Sequence, residues 1–367
     1  MLKEKKIILL SPTIEDGGVE KNLYNISNYL VKKFDKIYLI SANKDKLHNF
    51  SNKIDFKFPK TNYFINSNRL IKSLIFFFLL LKLGFRQKNS IILSFNNNIL
   101  NIFFAKLIGA KIIIRSNTSL KSYIKNNLKK KIFNFFFSLA DKVIVNSESM
   151  MKEMKIYFNI NAKCIYNPLE NNEFIVKKSN ETINPPVYFK NTLNILSIGR
   201  IVKQKNHILL LKALNNIKNK INFKLIIIGD GEEKKTLESY ISKNNLQKKI
   251  DILAFKENIY PYLKSSDLFV STSNYEGLPN VLLEALSLKK IIFCTDCPTG
   301  PKEILNNGRF GSLYPVNGIE DLSKLILNYS INKKEYEKMA IDGFNSLQKY
   351  NFDINCEKYF EVIDSFI

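Results

Sequence analysis

Hydrophobic positions along the chain fall into short unbroken runs, separated by longer stretches in which apolar residues recur every three or four places. In the first half the runs are KIILLS (6–11), KIYLIS (36–41), IILSF (91–95), KIIIRS (111–116) and KVIVNS (142–147). They are rich in Ile and Val and show little polar alternation, the pattern of strands covered on both faces. The stretches between them, such as EKNLYNISNYLVKKF, carry helical spacing. Strand–helix alternation of this kind predicts a parallel sheet wound with helices on both sides.

The alternation lapses over IYNPLENNEFIVKKSNETINPPVYFKNT, which holds Pro168, Pro185 and Pro186 with several Asn, and reads as a linker. A second series follows: LNILSIGR (193–200), FKLIIIGDG (223–231), IDILAF (250–255), DLFVSTS (267–273) and KKIIFCT (289–295). The expected architecture is therefore α/β, with two tandem doubly wound, Rossmann-like domains over residues 1–172 and 187–350. CEKYFEVIDSFI predicts a last amphipathic helix within 351–367, whose partner domain the sequence alone does not fix; a return to the first domain is one arrangement open to it. Two such domains would leave a cleft between the carboxyl ends of their sheets, where open α/β sheets bind ligands. Every distinctive loop of the second half follows a strand end.

Bulk properties narrow the picture further. A length of 367 residues with 45% hydrophobic content suits two or three well-packed domains. The longest clean apolar run, Leu74 to Leu81, is bounded by Lys72 and Lys82 and falls short of the roughly 20 residues of a membrane span. It is expected to be a core element or an interfacial patch. The opening MLKEKKIILLSP reads as a first strand rather than a signal peptide. Cys294 and Cys297 form an isolated C-x-x-C, Cys164 and Cys356 stand alone, and only two histidines exist, so reduced thiols in the cytoplasm are expected rather than a zinc site. The net charge of +23 is uneven: residues 1–170 hold 29 Lys/Arg and 11 Asp/Glu, the remainder 27 and 22. A basic half suggests a polyanion or an acidic bilayer surface as partner.

The candidate chemistry centres on NYEGLPNVLLEAL (274–286). Pro279 suits the first position of a helix. The amides of Asn280 and Val281, with those of Gly277 and Leu278, would then converge on a helix start that attracts anions, phosphate above all. Val281, Leu282, Ala285 and Leu286 make an apolar stripe, and Glu284 lies at its edge. A pure phosphate site would repel Glu276 and Glu284. A ligand with hydroxyls on either side of its phosphates would not, because carboxylates accept hydrogen bonds from hydroxyls, and a nucleotide-sugar has that layout. Glycoside hydrolysis ranks low: its two carboxylates stand about 5–10 Å apart, whereas eight residues at helical rise span roughly 12 Å. SIGRIVKQKN supplies cations in Arg200 and Lys205, a fork and a point charge for a diphosphate. Gly17 and Gly18 in DGGVEKN open a helix after the first strand and would let a ligand approach the backbone. GDG (229–231) is similar, and no G-x-G-x-x-G follows a strand, which weakens a dehydrogenase reading.

GDGEEKKTLE, GRIVKQKN and above all STSNYEGLPNVLLEALSLKKIIFCTDCPTGPKEIL resemble the retaining glycosyltransferases of family 4. The resemblance is specific over 193–315 and rests mainly on GGVEK, VIVNSES and IYNP before that. It implies the two-domain GT-B arrangement, no metal or other cofactor, and an E-x7-E pair at Glu276 and Glu284. By the resemblance Glu276 faces the donor sugar and Glu284 the ribose. Gly17 and Gly18 lie near the donor phosphate and acceptor, while Arg200 and Lys205 clamp the diphosphate. Many relatives carry a histidine after the strand that here reads IIIRSNTS, where this chain has Arg115, Ser116 and Asn117. Asn117 is assigned to the cleft and, with Glu276, forms the candidate catalytic set; no general base is needed if the leaving phosphate takes the acceptor's proton. His48 and His207 are expected at the surface.

SLKSYIKNNLKKKIFNFFFSLADK (119–142) predicts one basic amphipathic helix, with Lys121, Lys125 and Lys129 on a strip that could lie on an anionic bilayer. The resemblance implies acceptors that are often polyprenyl-diphosphate-linked sugars or glycolipids. The expected protein is thus a transferase at the inner face of the plasma membrane, moving a sugar from a nucleoside-diphosphate sugar to a glycan or lipid-linked acceptor of a surface polysaccharide. Two other readings remain: a nucleic-acid-binding protein, weakened by scattered charge and the lack of an RRM, KH or OB signature, and a sugar-nucleotide isomerase of similar shape, which would turn over its donor without an acceptor.

Overall fold

The computed structural model describes residues 6–14, 17–43, 46–59, 69–83, 90–95, 98–121, 124, 126–182 and 189–367. Lys125, Pro185 and Pro186 lie outside them. The chain forms two compact units, Met1–Pro168 with Phe352–Ile367, and Leu169–Asn351.

In the first unit the order is β1 (Lys6–Leu10), α1 (Gly18–Leu30), β2 (Ile37–Ile40), β3 (Ile54–Lys57), α2 (Arg69–Lys82), β4 (Ser90–Ser94), α3 (Ile99–Leu107), β5 (Lys111–Ser116), α4 (Asn127–Leu139), β6 (Lys142–Val145), α5 (Glu148–Phe158) and β7 (Ala162–Cys164). The second unit holds α6 (Asn172–Ser179), β8 (Leu193–Ile198), α7 (His207–Ile217), β9 (Phe223–Ile228), α8 (Lys234–Lys243), β10 (Ile250–Leu253), α9 (Tyr260–Ser265) and β11 (Leu268–Ser271). It continues with α10 (Asn280–Ser287), β12 (Ile291–Thr295), α11 (Pro301–Ile304), β13 (Ser312–Tyr314), α12 (Ile319–Ile331) and α13 (Lys333–Asn345). A last helix, α14 (Phe352–Asp364), belongs to the first unit.

Both sheets are parallel. The first runs β3-β2-β1-β4-β5-β6-β7 and the second β10-β9-β8-β11-β12-β13, each reversing direction beside its first strand. Registers such as Ile8↔Ile92 and Leu268↔Ile195 place apolar residues side by side. Successive residues point to opposite faces of a strand, so Ile8 and Leu10 enter one core with Ile92 and Ile112 while Ile7 and Leu9 enter another with Leu23 and Ile26. That double burial is why the strands read as unbroken apolar runs. The tail helix contributes Cys356, Tyr359, Val362 and Ile363 to the second of these cores. Tyr29 donates a short hydrogen bond to Glu357 nearby.

Three expectations change. The segment read as a linker contains α6, capped by the Asn171 side chain accepting from the Phe174 amide at 2.8 Å. The Lys178 carbonyl accepts from Asn258 Nδ2 at 2.9 Å, which ties this helix into the second unit. The single helix expected over 119–142 is shorter, because Asn126 caps the Leu128 amide at 2.8 Å and α4 begins at Asn127. Lys121 is therefore not on it; its ammonium lies 4.0 Å from the Tyr157 ring centre and donates to the Tyr157 hydroxyl at 2.6 Å. Lys121 and exposed Lys129 therefore do not share one helix. Finally, Pro279 is the N-cap of α10 and not its first residue.

Candidate functional site

In the second sheet β8 and β11 are neighbours at the point where strand order reverses, although Lys205 and Glu276 after them are 71 residues apart. Open α/β sheets bind ligands outside the carboxyl ends of strands at such a point. After β8 the chain turns at Gly199 and runs through Arg200 to Lys205. After β11 it runs through Thr272 and Ser273 to Glu276. The two loops are joined by hydrogen bonds from Thr272 Oγ1 to the Lys205 carbonyl (2.8 Å), Gln204 Nε2 to the Tyr275 carbonyl (2.9 Å) and Asn274 Nδ2 to the Lys203 carbonyl (2.8 Å).

This stitching brings Lys205 Nζ to 2.5 Å from Glu276 Oε1, with the side chains 18% and 8% exposed. Ser273 Oγ donates to the same carboxylate oxygen at 2.6 Å, and Thr299 Oγ1 donates to the Glu276 carbonyl at 2.6 Å. Glu276 is thus fixed by three polar contacts. An ammonium has three donors, so Lys205 retains capacity for an anionic ligand while holding Glu276. Arg200 is exposed, with Nη2 3.4 Å from Gln204 Oε1.

Close backbone approach supports both loops. A Cβ at Gly229 would stand 2.1 Å from the Gly199 carbonyl oxygen, so the turn after β9 lies directly on the turn after β8. A Cβ at Gly300 would meet the Gly277 carbonyl oxygen at 1.8 Å, which presses the loop after β12 against the start of α10. That start has no side-chain cap and no acidic residue in its first turn, so the positive end of its dipole is not offset by its own side chains. Gly277 and Leu278 are buried just before it, and Asn280 and Val281 are half-buried on its first turn. Leu282, Leu283, Ala285 and Leu286 are buried. Glu284 is buried with them.

The remaining candidates belong to the first unit. Gly17, the N-cap of α1, and Gly18, its first residue, are exposed. Gly17 is extended (φ −175°), a conformation open to any residue. Asn117 follows β5, where its Nδ2 donates to the Phe95 carbonyl at 2.8 Å and its Oδ1 accepts from Arg115 Nη1. Arg115 is wholly buried. Its Nε donates to the Tyr359 hydroxyl and Nη2 to Asn167 Oδ1, both at 2.7 Å, so the end of β5 is bound to α14.

His207 departs from expectation. It is buried at the first turn of α7, with Nδ1 3.2 Å from Ser197 Oγ. Burial, reinforced by the Lys205 charge, lowers its pKa to about 4 and keeps the imidazole neutral. Exposed His48 fits its expectation. Burial likewise pushes the Cys297 thiol up to about 12 and raises Cys294 well above its ordinary value, so neither is a thiolate. Among the described residues no three His, Cys, Asp or Glu side chains cluster as metal ligands. Sequence reasoning missed Ser273, Gln204, Asn274 and Thr299, which position Glu276 and Lys205. The signal for Ser273 and Asn274 was the polar STSN run at a strand's carboxyl end, where a buried strand gives way to a loop; Gln204 and Thr299 lie on other loops.

Comparison with known proteins completes the picture. A family model described as "Glycosyltransferase Family 4" matches residues 16–172, and one described as "Glycosyl transferases group 1" matches 179–345. The chain is 28% identical over 380 residues to an N-acetylgalactosamine-N,N'-diacetylbacillosaminyl-diphospho-undecaprenol 4-alpha-N-acetylgalactosaminyltransferase of Campylobacter jejuni, covering 97% of this chain and 99% of that one. It is 36% identical over 201 residues to an uncharacterized glycosyltransferase of Methanocaldococcus jannaschii, covering 52% of this chain and 48% of that protein's length. Among solved structures, Anabaena HepE in complex with UDP-glucose superposes with a TM-score of 0.80 at 16% identity, over 98% of this chain and 100% of the other, a likeness of fold. With one glycosyltransferase model on each series of strands and a pair of parallel sheets beneath them, the protein belongs to glycosyltransferase family 4 and is a nucleotide-sugar-dependent transferase of the GT-B type.

Proposed function

We propose that this protein is a retaining glycosyltransferase of surface-polysaccharide synthesis, moving a sugar from a nucleoside-diphosphate donor to a glycan or polyprenyl-diphosphate-linked acceptor at the inner face of the plasma membrane. The observation that carries the reading is the Lys205–Glu276 pair, held at the strand-order reversal beside the uncapped start of α10. A diphosphate needs positive charge without a strong competing anion. Lys205, Arg200 and the helix start supply it, so the reaction proceeds without a metal. The backbone of Gly277, Leu278, Asn280 and Val281 surrounds the phosphates, Glu276 accepts hydrogen bonds from the hydroxyls of the transferred sugar, and Glu284 takes the ribose.

On the same reading the bond from the anomeric carbon to the diphosphate breaks as the acceptor oxygen bonds to that carbon from the same face. The leaving phosphate oxygen receives the acceptor's proton, so no side-chain base is required. Gly17 and Gly18 leave room for the acceptor, and Asn117 lies with them on the acceptor-binding unit. The name of the Campylobacter relative, which specifies an undecaprenol-diphosphate acceptor, supports the lipid-linked class.

The test is a panel of UDP-, GDP- and CDP-sugars screened by thermal shift, because a donor that binds the native state raises Tm, followed by transfer assays with the donor found. Glu284→Ala and Arg200→Ala should each weaken donor binding by on the order of tenfold or more, the value of a charge-assisted hydrogen bond. Undiminished binding in both would remove the donor from this site. Inversion at the anomeric carbon, or loss of turnover on chelation of divalent metals, would overturn the mechanism.

A further inference from the structure

Helices α2, α3 and α4 present apolar side chains to solvent. On α2 the exposed apolar residues Leu70, Leu74 and Phe78 recur every four positions, and on α3 Phe103 and Leu107 do the same. On α4 Leu128, Ile132 and Phe135 follow helical spacing. Each set is therefore one outward line along its helix. Phe78 is 61% exposed, Phe103 45% and Phe135 61%, although each sits beside a residue that packs inward.

The lines are joined. Phe78 and Phe77 have ring centres 6.1 Å apart, Phe77 and Phe104 4.5 Å, Phe104 and Phe103 5.5 Å, Phe103 and Phe136 6.5 Å, and Phe136 and Phe135 5.4 Å. A continuous aromatic belt of exposed and half-buried rings thus crosses three helices. Single exposed apolar residues are ordinary on a protein surface, but a joined patch marks an interaction face.

Charge identifies the occupant. Between Asp55 and Asp141 the sequence contains 15 Lys and Arg and no Asp or Glu. Lys129 and Lys131 are exposed on α4 beside the belt. A second copy of the chain would bring the same cations against themselves, which disfavours self-association. An anionic bilayer matches both features, accepting apolar rings below its headgroups and lysines at them. The helices lie on such a surface rather than cross it: α2 has 14 residues, roughly 21 Å at helical rise against about 30 Å of hydrocarbon, and no helix of the described residues is long and apolar enough to span.

We infer that the α2–α3–α4 belt, with Phe78, Phe103 and Phe135 entering the headgroup region and Lys129 and Lys131 at the phosphates, is the docking surface for anionic phospholipid. The inference rests on the reading above, in which the acceptor is carried by a membrane, but names a surface that can be tested without any sugar.

The chain has no tryptophan, so Phe78→Trp and Phe135→Trp each create a unique fluorophore, with Ile331→Trp in the second unit as control. The full-length variants are titrated with phosphatidylcholine vesicles, with and without phosphatidylglycerol, and with vesicles of brominated lipid. A blue shift at positions 78 and 135 with phosphatidylglycerol, quenched by brominated chains and weakened by salt, with position 331 unaffected, is the expected result. Phe78→Ser combined with Phe135→Ser should lower vesicle partition by about a hundredfold, on the order of tenfold per ring. Lys129→Gln with Lys131→Gln, which leaves the apolar packing alone, should remove much of the preference for phosphatidylglycerol.

Vesicle binding without quenching at either reporter overturns the inference, as does no binding at all. A blue shift that grows with protein concentration in the absence of lipid also overturns it, assigning the belt to a second copy. Thermal shift with nucleotide-sugars on the same samples separates the two readings. Donor binding without vesicle binding sinks the surface alone, and vesicle binding without donor binding sinks the transferase reading alone.

Discussion

Replacing Glu276 by Gln tests the site with little change in shape. The amide oxygen can still accept from Ser273 Oγ, now 2.6 Å from the carboxylate, but the charge facing Lys205 at 2.5 Å is lost. Removing one partner of a fully buried pair costs about 3–5 kcal/mol. Lys205, 18% exposed, can turn its ammonium toward water, so a smaller loss of about 2 kcal/mol is expected. For a domain of this size that lowers Tm by about 4–8 °C. Ligand effects should have opposite signs. A carboxylate about 8 Å from a diphosphate costs about 2 kcal/mol at an effective dielectric of about 20. Its removal, with Lys205 released, should tighten binding of the bare nucleoside diphosphate by about 30-fold. Transfer should slow, because a hydrogen bond from the moving sugar to a charged acceptor is worth about 1.5–3 kcal/mol, or about 10- to 150-fold in kcat. Calorimetric titration with the nucleoside diphosphate and steady-state transfer on the same preparation read both signs. Weaker diphosphate binding with unchanged kcat would refute the reasoning, because Glu276 would then serve only to hold the loop.

Gly229→Ala forces a Cβ to 2.1 Å from the Gly199 carbonyl oxygen, so the two turns must separate; thermal unfolding should show a loss of about 1–3 kcal/mol together with weaker donor binding. Tyr359→Phe removes the hydroxyl that accepts from buried Arg115 Nε, and a fall in urea stability of about 1.5–3 kcal/mol is expected with donor binding to the second unit unchanged. For His207 the folded pKa of about 4 lies below the ordinary value, so the unfolded chain binds more protons between pH 6.5 and 4. Stability is complete above pH 6.5 and falls toward pH 4, by about 3 kcal/mol in all, and His207→Gln should flatten that part of a pH series of denaturation midpoints.

All ten strands expected from apolar runs are present, while β3, β7 and β13 were not legible. Their sequences, IDFK, AKC and SLY, are short and partly exposed, and each lies at an edge of its sheet. An edge strand needs only one apolar face, and its pairing with a residue far along the chain, as Ile37 with Ile54, is what makes it a strand. Periodicity over 119–142 was informative only in part: α4 is a helix, but Leu120 and Ile124 are buried while Leu128, Ile132 and Phe135 are exposed, and the asparagine at 126 supplies a cap that starts α4 after the first two. A capping residue within a periodic stretch outranks the period, because it satisfies amides that a continuous helix would bond internally.

The candidate site shows the same division. Glu276, Lys205 and Arg200 were legible as candidates because they lie just beyond strand ends in runs that resemble a family's motifs. The pairing of Lys205 with Glu276 was not, since nothing in the sequence signals contact across a separation of 71 positions; it arises from β11 lying beside β8 rather than beside β10. His207 was misjudged for a related reason. A histidine after KQKN reads as surface until the turn at Gly199 folds that basic loop over the start of α7 and buries the ring against Ser197. Strand order thus converts a list of polar residues into a charge arrangement. Because it does, an exchange of charge between positions 205 and 276, Lys205→Glu with Glu276→Lys, should keep much of the pair's contribution to stability yet abolish transfer: attraction between the two positions is symmetric, but the geometry offered to phosphate and sugar is not.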